Sequence, residues 1–317
     1  MVNIKNCAEE LDIKLKEYHD KNQPIPQKPL YHYTSFLGLS GILQSKNLWL
    51  TDHKFLNDPS EIEHGKHIIL NQINNHINKN KKLCDFMKFF FDDIMTRGYK
   101  TFVTSFCKEG DYLPAWRYYG NNGAGFSIGF RKNYFTPLES TDKKTATSLY
   151  KVEYAENSSN QVKEIFGIAD NALNSWTSQK TTAIEPFLNI LIASLITIVP
   201  SMKHPDYNTE QEWRLCLPRI YFESENRWEP YEFPTDQLII DKIDHQQIPP
   251  FLKTIKSDIP RLTSNKFGYC DIETIYVGPR LDFITAKTAL EKMLLDNGIS
   301  DSELKGISIK KSERPYQ

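Results

Sequence analysis

The spacing of apolar and polar positions predicts long helices alternating irregularly with short strands. From about Lys5 to Tyr18 the residues Leu11, Leu15 and Tyr18 recur at helical spacing on one side. Pro24, Pro26 and Pro29 then forbid a continued helix and predict an extended connector. LYHYT suits a strand by its aromatics. SFLGLSGILQSK follows as a helix with Ser35 as N-cap and Leu39, Ile42 and Leu43 on one face, and LWLT returns as a strand. Asp58, Pro59 and Glu61 suit the N-cap, first and third positions of a new helix, which should run through HIILNQINNHI. A helix around LCDFMKFFFDDIM, the strand TFVTSFC and an alternating strand in AGFSIGF come next. KKTATSLYKVEYAE should hold one more strand, and Val162 to Val199 reads as helical. EWRLCLP, QLIID and ETIYVGP are late strands, Phe283 to Leu295 a helix, and GISIKKS the last strand.

Without a strand–helix–strand rhythm, this order predicts an α+β fold on a mixed or antiparallel sheet rather than a doubly wound one. Residues 1–29 form an N-terminal helix and proline-rich connector, and residues 30–317 one elaborated domain with helical insertions near 59–97 and 160–200. At 317 residues, 39% apolar and 25% charged, the composition is that of a folded chain. A formal net charge of −1 removes the bulk argument for nucleic acid or an anionic membrane as partner. Cys7, Cys84, Cys107, Cys216 and Cys270 are scattered and odd in number, which fits a reducing compartment better than a disulfide framework. The opening MVNIKNCAEELDIKLK lacks a secretory h-region, and FLNILIASLITIVP is too short to span a bilayer. The expectation is a cytoplasmic protein with that segment as a buried helix.

Four stretches offer chemistry. His32, between two aromatics, could present a neutral imidazole to a hydroxyl or amide, or could be a core histidine satisfied by a carbonyl. Asp58, Glu61, His64 and His67 stand at helical spacing that can hold a divalent metal, though capping already explains the two carboxylates. Trp116, Tyr118 and Tyr119 precede the glycine-rich loop GNNGAG. That loop could admit a ligand close to its backbone beside stacking rings, or could be a turn between packed elements; it fits no phosphate-binding fingerprint. Glu210 and Glu212 alternate, so on a strand both would face one side. They could stabilise a cationic transition state or bind hydroxyls, or form a solvated face with Glu212 paired to Arg214, Arg131 or Arg117.

Taken in order, YHYTS, WLTD-x3-LNDPSE, SF-x8-AWRYYGNN-x3-FSIGF, EQEWRL, IYVGPR and SERPY resemble the bacterial family named domain of unknown function 2971. More loosely, the order of His32, the aromatics with Ser105, and Glu210-Gln211-Glu212 after Tyr207 is similar to ADP-ribosyltransferases, without their Ser-Thr-Ser motif. That likeness implies a split core sheet and NAD as substrate, with no bound metal. Glu212 would then stabilise the ribosyl cation and Glu210 handle an acceptor. His32, Tyr33 and Thr34 would hold the nucleoside, a ring among Trp116, Tyr118 and Tyr119 would stack nicotinamide, and Arg117 or Arg131 would meet the diphosphate. It further implies a protein or nucleic-acid acceptor, or simple NAD hydrolysis, in a toxin, effector or phage-defence component, with no membrane partner. The competing readings are a non-catalytic nucleotide- or protein-binding module and a metal-dependent phosphoesterase using Asp58, Glu61 and His64.

Overall fold

The computed structural model describes residues 4–22, 24–56, 60–76, 81–135, 148–157, 159–173, 185–222, 227–229, 238–241, 259–263 and 266–316. Along the chain lie α1 (Ile4–Asn22), β1 (Leu30–Thr34), α2 (Phe36–Ser45), β2 (Trp49–Asp52), α3 (Ser60–His76), α4 (Lys81–Asp93), β3 (Tyr99–Cys107), α5 (Leu113–Tyr118) and β4 (Phe126–Phe130). Then come β5 (Ser148–Lys151), β6 (Glu153–Tyr154), α6 (Asn160–Leu173), α7 (Glu185–Ile198), β7 (Met202–Lys203), a 3-10 turn (Pro205–Glu210) and β8 (Glu212–Phe222). The described part closes with β9 (Arg227–Glu229), β10 (Leu238–Asp241), β11 (Ile259–Thr263), β12 (Ile272–Val277), α8 (Phe283–Asp296), α9 (Asp301–Lys305) and β13 (Ser308–Lys311).

Local chemistry sets several of these boundaries as expected. Ser35 caps α2 by accepting from the Gly38 amide at 3.1 Å, and Leu39, Ile42 and Leu43 are its buried face. Helix α3 begins at Ser60, while the cap expected from Asp58 and Pro59 lies outside the described residues.

The class is α+β on a mixed, mostly antiparallel open sheet. Strand β3 is its spine, paired along its whole length with β8 on one edge. The other edge is shared end to end by β2, at Phe102 and Val103, and by β1, through the single pair Tyr31–Cys107. Two wings diverge from that edge, one through β2, β11 and β10, the other through β1, β4, β12 and β13. One face of the sheet carries α2 and α8 over Leu30, Phe106, Ile128, Phe130 and Ile275. A second apolar core gathers α1, α3, α4, α6 and α7, so the first helix and both helical insertions close around Leu11, Ile69, Phe91, Phe166 and Leu195. No helix among the described residues is long and apolar enough to cross a membrane.

The glycine-rich loop is packed by the protein itself. Asn121, Asn122 and Gly123 have positive φ, and the Gly123 carbonyl accepts from the Arg280 amide at 3.0 Å. The Tyr316 hydroxyl donates to the Asn122 side chain. A Cβ on Gly125 would stand 2.3 Å from the Thr34 carbonyl oxygen and 2.8 Å from that of Gly120, so the close approach this glycine permits is to backbone. Gly125→Ala is therefore expected to destabilise the fold by about 1–3 kcal/mol, read as a lower midpoint in denaturant unfolding. A wild-type midpoint would show the loop to be loosely held.

Candidate functional site

At the start of β8 the chain buries five charged side chains from four elements. Lys203, on the two-residue strand β7, donates from Nζ to Glu61 Oε1 at 2.6 Å, to Glu212 Oε2 at 3.2 Å and to Glu210. Arg214, two residues along β8, donates from Nε to Glu212 Oε1 at 2.8 Å and from Nη2 to Glu212 Oε2 at 2.9 Å. Its Nη2 also meets Glu61, and its Nη1 donates to the Pro200 carbonyl at 3.0 Å. Glu61, Lys203, Glu212 and Arg214 thus close a ring of alternating sign, two carboxylates against two cations. Glu210 hangs on Lys203 outside that ring as the one carboxylate not balanced within it.

The strand pattern explains how these residues meet. Glu212 pairs with Cys107 and Arg214 with Ser105, so all four side chains occupy the same side of the sheet, opposite to Phe106. Glu210 does not share the strand alternation expected of it. It ends the 3-10 turn, and Gln211 follows in the left-handed conformation with φ of 47°, so β8 begins only at Glu212. The two carboxylates still converge, because Lys203 reaches both from β7.

Their proton affinities are driven apart. Burial alone would push the Glu212 carboxyl up, but Arg214 and Lys203, with a hydrogen bond from Ser105, pull it down to about 2. Glu210 moves the other way: burial raises its pKa, Lys203 opposes this, and the charges of Glu212 and Glu61 reinforce it. For Lys203, the burial cost is outweighed by Glu212, Glu61 and Glu210, which hold its proton more tightly than usual.

Around Glu210 the surface is aromatic. The Tyr119 hydroxyl donates to Glu210 Oε1 at 3.2 Å, and the Tyr207 ring lies 4.8 Å from Lys203 Nζ. Tyr119 and Tyr207 are each 39% exposed, and Tyr118 is 72% exposed with its ring 6.3 Å from that of Tyr119. Together they form an open rim above a buried charge cluster.

Several residues expected at one site are separated. His32 does not face Glu212. Tyr31 pairs with Cys107 and so shares its side of the sheet, whereas the alternation of β1 turns His32 and Thr34 to the opposite side. There His32 Nδ1 lies 3.0 Å from the Ser105 carbonyl and the ring packs edge-on to Phe106, while burial lowers its pKa and keeps the imidazole neutral at pH 7. Tyr33 is on the Glu212 side, but its hydroxyl donates to the Glu109 carbonyl and its ring packs against Trp116. Trp116 is fully buried, with its indole nitrogen donating to Asp111 Oδ1 at 2.7 Å, so it stacks on the core rather than on a ligand. Arg131 binds the Cys270 and Gly306 carbonyls and Glu273, at the end of β4 and across β1 and β3 from β8. Arg117 is exposed beside Tyr118.

The phosphoesterase set is not assembled either. Glu61 turns into the ring while His64 Nε2 donates to the Ala155 carbonyl, 2.7 Å away. Asp58 lies outside the described residues. Among the described residues no group of three or more His, Cys, Asp or Glu side chains could hold a metal ion. Cys107, Cys216 and Cys270 are free thiols, while the side chains of Cys7 and Cys84 lie outside the described residues. Lys203 is the member that sequence reading missed, since a lone lysine in SMKHP carries no pattern.

Removing one ion from a buried pair leaves its partner uncompensated, so Arg214→Leu is expected to cost about 3–5 kcal/mol in urea unfolding. Acid should act through Glu212. Its folded pKa is depressed, so its stabilisation is present above the unfolded value near about 4.3 and is lost as pH falls from there toward 2. Stability that stayed flat across this window, with Glu212→Gln equal to wild type, would contradict the ring.

Comparison with known proteins adds one finding. No curated protein and no solved structure matches the chain. The family model described as "Protein of unknown function (DUF2971)" matches residues 115–215, a span holding Tyr119, Lys203, Glu210, Glu212 and Arg214 but not Glu61. Over residues 115–215, about a third of its length, the chain is similar to that family.

Proposed function

We propose that this protein is an NAD-consuming enzyme, an ADP-ribosyltransferase or NAD glycohydrolase, working at the rim formed by Tyr119, Tyr207 and Glu210. The observation that carries the reading is Glu210, the carboxylate that leaves this cluster with three anions against two cations, beside the exposed Tyr119 and Tyr207. The nicotinamide of NAD is a flat pyridinium cation, and such a group suits aromatic faces together with one uncompensated negative charge.

The chemistry follows from charge movement. When the bond between nicotinamide and ribose breaks, its electron pair leaves with the nicotinamide, which becomes neutral, and positive charge passes to the ribosyl carbon. A fixed carboxylate at that carbon lowers the barrier. Water or an acceptor nucleophile then bonds to the carbon and releases its proton to a base. Neutralised by Arg214 and Lys203, Glu212 has little charge left for the ribosyl cation and serves as the anchor. Glu210 takes the role that sequence order suggested for Glu212. His32 contributes nothing here, because it faces the other side of the sheet.

A second reading, binding without turnover, is favoured by the saturation of Glu212. Both readings face one experiment, in which purified protein is incubated with NAD and released nicotinamide is quantified by chromatography, alongside thermal shift with NAD. Turnover that falls by about 100-fold or more in Glu210→Gln is the expected result. A thermal shift with no nicotinamide from wild type would replace catalysis by binding, and neither signal would remove NAD altogether.

A further inference from the structure

We propose that Glu61, on α3, is a positioning residue for the candidate site: by sharing Lys203 with Glu210, it sets how much of that lysine's charge Glu210 receives. This rests on the reading of Glu210 as the carboxylate that meets the ligand, yet it concerns a residue outside the family match and 153 residues from Arg214 in sequence.

The geometry is that of a competition. Lys203 Nζ has three protons, and three carboxylates take them: Glu61 at 2.6 Å, Glu212 at 3.2 Å, and Glu210. Glu212 is also held bidentately by Arg214, so its claim on Lys203 is the weaker one by distance. Glu61 spans both cations, one oxygen on Lys203 and the other on Arg214, which fixes the lysine against α3. The side chains of Lys203, Glu61 and Arg214 are 3%, 10% and 2% exposed, so water does little to screen them. Take Glu61 away and Lys203 keeps only Glu210 and Glu212. Its charge then falls more fully on Glu210, and one nearby anion is gone as well; both changes favour the ionised form of Glu210. The neighbouring groups do not reverse this sign. Facing Glu210 are Lys203 from β7, Glu212 and Arg214 from β8, Glu61 from α3, Tyr119 from α5 and Tyr207 within its own turn. Tyr154 from β6 accepts from the Glu212 amide, and the Cys107 thiol from β3, pushed up by burial to about 11, donates to the Glu210 carbonyl. The hydroxyls of Tyr119 and Tyr154 and the thiol stay neutral across the carboxylate range.

The biological content is a link between α3 and the site. A displacement of α3 that draws Glu61 off Lys203 converts Glu210 toward a permanently charged carboxylate without moving β8.

The test follows the apparent midpoint of Glu210 by carbon-13 carboxyl NMR in glutamate-labelled protein, with the signal assigned by its absence in Glu210→Gln. Glu61→Gln should lower that midpoint by roughly one pH unit, and Lys203→Met should raise it by roughly as much. Lys203→Arg should leave it near wild type. If Glu61→Gln does not fold, Glu61→Asp, whose carboxylate is too short to span both cations, should lower the midpoint by a smaller step. A Glu210 midpoint equal to wild type in the folded Glu61 variants would overturn the proposal. The titration uses no NAD, so it stands or falls separately from nicotinamide release.

Discussion

Four buried charges hold the seam between the helical block and the sheet. Glu61 comes from α3, Lys203 from β7, and Glu212 and Arg214 from β8, and each cation touches both carboxylates. Burying one such ion costs several kcal/mol, so the loss of any neighbour in the ring is destabilising. The consequence is positional. The first residues of β8, the turn before it and the first turn of α3 are fixed relative to one another by charge as well as by apolar packing.

That constraint also decides which carboxylate is available. A ring with equal numbers of anions and cations satisfies itself, and Glu212 inside it is held ionised by partners rather than left for a ligand. Glu210, outside the ring, combines a raised pKa with a place under Tyr119 and Tyr207. Two glutamates separated by Gln211 thereby acquire different chemistry from their surroundings, the usual way in which carboxylate pairs divide their roles. The left-handed Gln211 makes this possible, because on an unbroken strand both would enter the same ring.

The elements around the site have mainly structural tasks. Asp111 accepts from the Trp116 indole and the Ser312 hydroxyl and from the Glu313 amide, so the C-terminal SERPY segment ties down the approach to α5. Tyr33 and Trp116 pack edge to face beneath the same helix. Tyr119 is thus presented at the rim from a short helix whose other side is locked into the core.

Periodicity and punctuation alone determined the class of fold, the cap at Ser35, the buried face of α2, the strands at LYHYT, TFVTSFC and ETIYVGP, and the order in which the candidate residues arrive. These are properties of neighbouring residues, and the physics that sets them acts over one or two turns. The sequence also singled out Glu61, Tyr119, Glu210 and Glu212 as candidates for chemistry, but it could not say which would meet. Only tertiary structure placed His32 and Glu212 on opposite sides of the sheet, since that depends on the register of β1 against β3 through the single pair Tyr31–Cys107. Only tertiary structure brought Glu61 to Arg214 across 153 residues, and Lys203 to Glu212 from another strand, because a buried charge finds its partner through space rather than through a local pattern.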